Sequence, residues 1–300
     1  MVVRKKRKIS AFTIVNTVLL ALVTLLMLYP FWYIIIGSVS STNYIYSGKM
    51  LLLPDQINLD AYVTMLSNKR VVQSFFNSLF VTLTGTFLSM VLTFMGAYVL
   101  SKKYLPYRSL LTLFLVFTML FEGGMIPFYL LVNKLGMTDT IWSLIIPGCI
   151  STYNLIIMRN FLMTIPIELE EAAEIDGAGQ LGIMLKVYLP LAKSVMATVT
   201  LFYAVSYWNS FFWATIFLND SKYWTLQVIL RELVLMANAA AIDSANGTMI
   251  TENAKMALII ITSLPIIMVY PFLQKYFVKG MLTGERGRLK VIKVLKNYGI

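Results

Sequence analysis

Histidine is absent from the 300 residues, and cysteine occurs once, at Cys149. The first absence removes the usual neutral-pH general base, the Ser-His-Asp triad and the commonest zinc ligand. The second removes any intramolecular disulfide framework. Charge is scarce as well: Asp, Glu, Lys and Arg make up 13% of the chain, about half the roughly 25% of an ordinary soluble domain. Disorder is equally excluded, since it needs high charge and few aromatics, and aromatics are 13% here. Neither a GxxxxGK[ST] phosphate loop nor a GxGxxG segment occurs. The chain therefore cannot hydrolyse ATP by the P-loop route, and any energised work draws on another subunit.

Apolar residues, by contrast, reach 58%. Residues 11–36, 75–100, 140–158, 194–218 and 256–274 contain no Asp, Glu, Lys or Arg, and 109–132 contains only Glu122. Each run is near or above the ~18–20 residues that cross a hydrocarbon core as helix. None alternates like a barrel strand, so the spacing predicts an all-α membrane protein with six transmembrane helices. The first run is too long for the roughly 7–15-residue core of a signal peptide. Tyr29, Trp32 and Tyr33 at its far end suit an interfacial aromatic belt.

The net charge of +11 is a matter of topology. With the N-terminus inside, 18 of the 25 Lys and Arg fall on the inner side, in the tail at 4–8, the segments 102–108 and 159–193, and the C-terminal tail. That bias fits an N-in, C-in orientation and leaves little reason to expect nucleic acid as a partner. The organisation expected is a basic N-tail at 1–10, a first helix and long external loop at 11–74, a core at 75–280 and an inner C-tail at 281–300. The tail beyond residue 286 has a basic, Leu/Ile/Val-spaced sequence with no assigned role. The external loops read as caps over helix ends or as a docking face.

One inner segment is unlike the rest. Residues 165–190 read IPIELEEAAEIDGAGQLGIMLKVYLP. Thr164 is placed to cap a helix, Pro166 suits its first turn, and Glu168, Glu170 and Glu171 sit where the helix dipole favours negative charge. Gly177 and Gly179 end it. Leu169, Ala172, Ala173 and Asp176 share one face, on which two alanines allow another backbone to approach. A short acidic helix on the inner side suits a groove on a partner; lying flat on an anionic membrane surface would cost it repulsion.

Glu171-Ala172-Ala173, three residues, Gly177, nine residues, Val187, one residue and Leu189-Pro190 resemble the EAA loop of ATP-binding-cassette (ABC) importer permeases, with Val187 in place of the usual Ile. The loop, at about 163–190, lies between the fourth and fifth runs, as in that family. Trp208-Asn209-Ser210-Phe211-Phe212, Gly123-Gly124-Met125-Ile126-Pro127 and Lys279-Gly280 resemble the MetI-like superfamily's MalG-type carbohydrate permeases, and among them the LplC/YtcP-like subgroup. The resemblance implies a type I importer permease fold in a bacterial cytoplasmic membrane, without enzymatic activity or a bound cofactor or metal of its own. It implies a second homologous permease, two copies of a cytoplasmic ATPase that bind ATP and Mg, an extracellular substrate-binding lipoprotein and an oligosaccharide cargo. The EAA helix would be the coupling helix, with Glu171, Ala172, Ala173, Asp176 and Gly177 meeting the ATPase.

For the substrate path the residues offer Glu122, an ionisable group inside a span, and Tyr203, Tyr207, Trp208 and Asn209, where aromatic faces suit sugars and the amide suits hydroxyls. The structural reading is the commoner one for each: Glu122 bonds a neighbouring helix or sits near the outer interface, and an aromatic stripe at helical spacing packs or faces lipid. Asn16, Asn77 and Asn154 read as interhelical glue. Pro127, Pro147, Pro265 and Pro271 interrupt spans, either as kinks that line cavities or serve as hinges or as plain packing. Other readings are the same type of permease for a non-sugar cargo, an ion-coupled secondary transporter and a membrane scaffold. The transporter would need carboxylates in several runs or an internal repeat, and the scaffold leaves the acidic helix unexplained.

Overall fold

The computed structural model describes residues 11–47, 52–240, 251–269 and 271; the basic tails at 1–10 and 281–300 and the end of the 256–274 run lie outside them. The helices are α1 (Ala11–Val39), α2 (Thr42–Tyr46), α3 (Asp60–Ser67), α4 (Lys69–Ser101), α5 (Arg108–Leu120), α6 (Met125–Lys134) and α7 (Trp142–Ile145). There follow α8 (Thr152–Leu162), α9 (Glu168–Ile175), α10 (Gln180–Leu191), α11 (Lys193–Trp208), α12 (Phe212–Phe217), α13 (Leu226–Ala240) and α14 (Glu252–Val269). No strand occurs among the described residues. The described residues divide into two compact units, one within 1–68 and 230–263, the other within 69–229 and 264–300.

In the first unit α1 carries its apolar side chains outward: Leu19, Leu22, Leu25 and Leu26 are all exposed. Such a surface is costly in water and free of cost in hydrocarbon, where only the backbone must be satisfied, as a helix does internally. Burial begins near its end, where Ile36 packs with Ile45 and Met256. Ser41 caps α2 through its hydroxyl, and its backbone N–H and hydroxyl both donate to Asp55. Tyr62 on α3 shares a 2.7 Å hydrogen bond with Ser38.

The second unit is built on α4, which packs against α8 and α11. Ser78, Gly85, Ser89, Thr93 and Ala97 put small side chains along the buried side of α4. Small residues let backbones approach closely where lipid provides no hydrophobic drive. The approach is tightest at Gly85, where an added Cβ would stand 2.7 Å from the Tyr207 ring. Thr93 and Ser89 hydrogen-bond the hydroxyls of Tyr203 and Tyr207 at 2.7 and 2.9 Å.

Three of the six apolar runs are not single helices. The run 109–132 is α5 and α6 meeting at 109°, broken over residues 121–124 at Gly123 and Gly124, the latter at φ +88°. The run 140–158 is α7 and α8, parted by Pro147-Gly148. The run 194–218 is α11 and α12, parted at Asn209-Ser210. Paired glycines, Pro-Gly and Asn-Ser remove donors or offer turn conformations that a helix interior does not use. Helices Phe12–Val39, Lys69–Ser101 and Glu252–Val269 are long and apolar enough to cross a membrane individually, and α10 meets α11 at 84°.

Candidate functional site

The acidic helix α9 starts later than Thr164 suggests. Its N-cap is Ile167, without a side-chain cap, and the Thr164 hydroxyl instead donates to the Phe161 carbonyl at 2.7 Å, finishing α8. Pro166 cannot donate, but its carbonyl accepts from Leu169 in the first turn. The other end closes as the glycine requires. Gly177 adopts φ +81°, its N–H reaches the Glu174 carbonyl at 3.0 Å, and the Ala178 N–H reaches the Ala173 carbonyl at 2.9 Å. This pairing is a Schellman motif, which a non-glycine residue enters only with strain.

The faces of α9 differ from the apolar-periodicity reading. Glu170 turns inward, 2% exposed, with Ala173 half-buried beside it. Leu169, Glu171, Ala172, Ile175, Asp176 and Gly177 are exposed. Of the five expected partner-facing residues, four thus lie open and Ala173 packs on the core. The inward pair follows i, i+3 spacing, but through a carboxylate that apolar counting cannot assign to the interior.

Glu170 meets a set of groups that the sequence reading did not single out. Lys102, just past the end of α4, places Nζ 2.7 Å from Oε2 of Glu170, with side-chain exposures of 5% and 2%. The Tyr188 hydroxyl donates to the same oxygen at 2.6 Å, and the Tyr104 hydroxyl to Oε1 at 3.4 Å. Lys102 Nζ lies 3.9 and 4.1 Å from the ring centroids of Tyr98 and Tyr188, which meet edge to face. Burial pushes the Lys102 ammonium below the usual lysine range, and the contact with Glu170 opposes that shift. Burial, with Glu170 and Glu174 nearby, raises the Tyr104 hydroxyl. Gln180 completes the set, accepting from Tyr98 at 2.9 Å and donating to Glu174 at 2.9 Å. Tyr188 ends a single π-helical turn, Met184–Tyr188, two residues before Pro190. Pro190 has no N–H for a regular helical bond, so the irregular turn and the proline fall together.

Elsewhere in the second unit a cavity of about 1,050 Å³ opens between the broken segments. Glu122, Tyr203, Tyr207 and Asn209 line it; Trp208 does not, being buried edge-on to Phe75. Phe128, Trp213 and Phe217 form an aromatic wall with ring centroids 4.8–5.9 Å apart. Ser143, Ser151, Asn154 and Ser210 add polar groups, and no Lys or Arg is among the lining residues. Glu122 stands in the α5–α6 break, not inside a helix. Tyr203 and Tyr207 each have a second duty: Tyr203 accepts from the Ser151 N–H at 2.9 Å, and Tyr207 donates to the Ile145 carbonyl at 3.3 Å. Asn77 bonds the Lys222 and Trp224 carbonyls of a loop, whereas Asn16 is exposed.

Residues 104–283 match the family described as binding-protein-dependent transport system inner membrane component. The chain is similar to protein LplC of Bacillus subtilis (strain 168), with 42% identity over 91% of this chain and 94% of the relative. It is also similar to the polygalacturonan/rhamnogalacturonan transport system permease protein YtcP of the same organism, with 43% identity over 89% and 94%. Among solved structures it resembles a chain of a bacterial ABC transporter involved in the import of the acidic polysaccharide alginate. That likeness has a TM-score of 0.82 and 38% identity and covers 91% of this chain and 98% of the other.

Proposed function

The chain belongs to the family of binding-protein-dependent transport system inner membrane components, and on that premise we propose that it is the permease subunit of an ATP-driven importer of oligosaccharides. It forms half of the translocation path, the other half coming from a second, related permease. Two copies of a separate cytoplasmic ATPase move it, and an external binding protein hands over the cargo. The polypeptide crosses a bacterial cytoplasmic membrane six times with both ends inside: α1, α4, α5 with α6, α7 with α8, α11 with α12, and α14. YtcP, a polygalacturonan/rhamnogalacturonan transport permease, and the alginate importer both handle polysaccharides, which supports a carbohydrate cargo here. The cavity's aromatic wall, hydroxyls and amides suit the two kinds of sugar surface.

The observation that carries this reading is the form of α9. A short acidic helix offers Glu171, Ala172 and Asp176 to a neighbour while its other side is fixed to the body through Glu170. A lever needs one free face and one anchored face. The ATPase would grip the free face differently in its open and closed states, since only differential binding moves an equilibrium. Glu171 pairs with a basic group of the ATPase, and Gly177 lets the chain leave sharply. A Glu171→Lys chain should insert normally yet lose the ATPase on purification, or hydrolyse ATP without response to cargo-loaded binding protein. Full cargo-stimulated turnover in that variant overturns the assignment.

A further inference from the structure

The Lys102–Glu170 pair has no evident need to be ionic. It is buried on both sides, and a buried ion pair is generally no more stabilising than an apolar contact of the same volume, because desolvation offsets the attraction. What it offers over an apolar contact is direction. Glu170 is held by an ammonium and two phenol hydroxyls coming from three pieces of chain: the end of α4, the loop at Tyr104, and α10. A carboxylate bonded in several directions can neither slide nor rotate, whereas leucines can exchange neighbours at little cost.

The three pieces are the ones a displacement of α9 must reach. Lys102 follows α4, the 33-residue helix on which the unit is built. Tyr188 stands on the π turn of α10, next to the 84° bend into α11, whose Tyr203 and Tyr207 reach the cavity. Gln180 bridges Tyr98 on α4 to Glu174 on α9.

We infer that Glu170, Lys102 and Tyr188 are positioning residues that form a rigid joint, transmitting the movement of α9 to α4 and through α10 to α11. This inference rests on the proposed role of α9 as the ATPase contact. Glu171 faces the ATPase on the outer side of the helix, and Glu170, its neighbour in sequence, faces the body on the inner side.

The test uses the complete importer in proteoliposomes, with a mixed pool of oligogalacturonides, alginate oligomers and malto-oligosaccharides as the probe. Uptake is read by mass spectrometry of the lumen, and ATP turnover and thermal unfolding are measured in parallel. Lys102→Met alone and Glu170→Gln alone should lower uptake per ATP by at least about fivefold, the lower end of typical site-to-site coupling, while the ATPase stays bound and turns over. Because the single variants also strain the fold, Lys102→Met with Glu170→Leu is the deciding chain. It should regain thermal stability and remain uncoupled, and Tyr188→Phe should show a smaller loss in the same direction. Recovery of wild-type uptake per ATP in the double variant makes the pair a mere packing element and overturns the joint. If Glu171→Lys keeps its ATPase and its cargo response, the reading of α9 itself fails, whatever the joint variants do. Hydrogen exchange over residues 168–183 in the cargo-free complex gives a readout independent of cargo. Exchange at least about tenfold faster in the double variant is expected, and unchanged exchange contradicts the joint.

Discussion

Two residues show how little freedom single positions have. At Gly85 the absent Cβ is the space the Tyr207 ring occupies, and that ring is fixed by hydrogen bonds to Ser89 and Ile145. Helix propensity favours alanine by about 1 kcal/mol, but overpacking against a pinned ring costs about 1–3 kcal/mol. Gly85→Ala should therefore lower the unfolding midpoint in detergent; an unchanged or raised midpoint contradicts the close approach. Asp139 accepts from the Asn219 side chain and from the Asn219 and Asp220 N–H groups, and these bonds hold its carboxyl below the ordinary 3.8. A carboxylate with a lowered folded pKa contributes its full stability above its unfolded value and loses it as pH falls through the folded one. Asp139→Asn should accordingly be less stable than wild type near neutrality, and the gap should close as pH drops below about 3.8. A gap that is constant with pH assigns the effect to packing. The positions of Glu170 and Lys102 were not legible at this scale. Nothing in a run of three glutamates singles out the inward one, and its partner lies 68 positions earlier in the chain.

At the scale of elements, the acidic helix and its exit were readable because local chemistry decides them: acidic residues in the first turn, then a glycine whose φ of +81° closes the Schellman motif. Gly177→Ala has open space for its Cβ, so its cost is the left-handed backbone, about 1–2 kcal/mol. The expected result is a frayed end of α9, seen as faster hydrogen exchange at residues 174–178 and weaker ATPase retention; unaltered exchange there argues that the turn tolerates a side chain. The breaks were harder to read. Hydropathy alone makes 109–132, 140–158 and 194–218 look like uninterrupted rods, because it ignores backbone conformation. Gly123-Gly124, Pro147-Gly148 and Asn209-Ser210 carried the signal. A lone proline marks a kink, whereas the glycine that follows Pro147 at 148 marks a full break. In a membrane such breaks are tolerated where the freed backbone lines a cavity or meets protein, and all three border the same one.

At the scale of the whole molecule, composition pointed to a multi-span membrane protein, and the spacing from Glu171 to Pro190 pointed to the family. The cavity was legible only in part. Tyr203 and Tyr207 reach it while also bonding across to α4 and the chain at Ser151, whereas Trp208 points into protein. A helical stripe of aromatics cannot tell these apart, because which member faces the cavity depends on where α11 ends. In the proposed function, force made elsewhere enters the molecule through the open face of α9. Ile175, 86% exposed on that helix, gives a direct probe. With Cys149→Ser as background, Ile175→Cys carrying a short photoactivatable cross-linker should capture the ATPase subunit in the assembled importer, in a yield that changes when ATP is bound. Capture of lipid or nothing, with the ATPase present in the complex, contradicts the account.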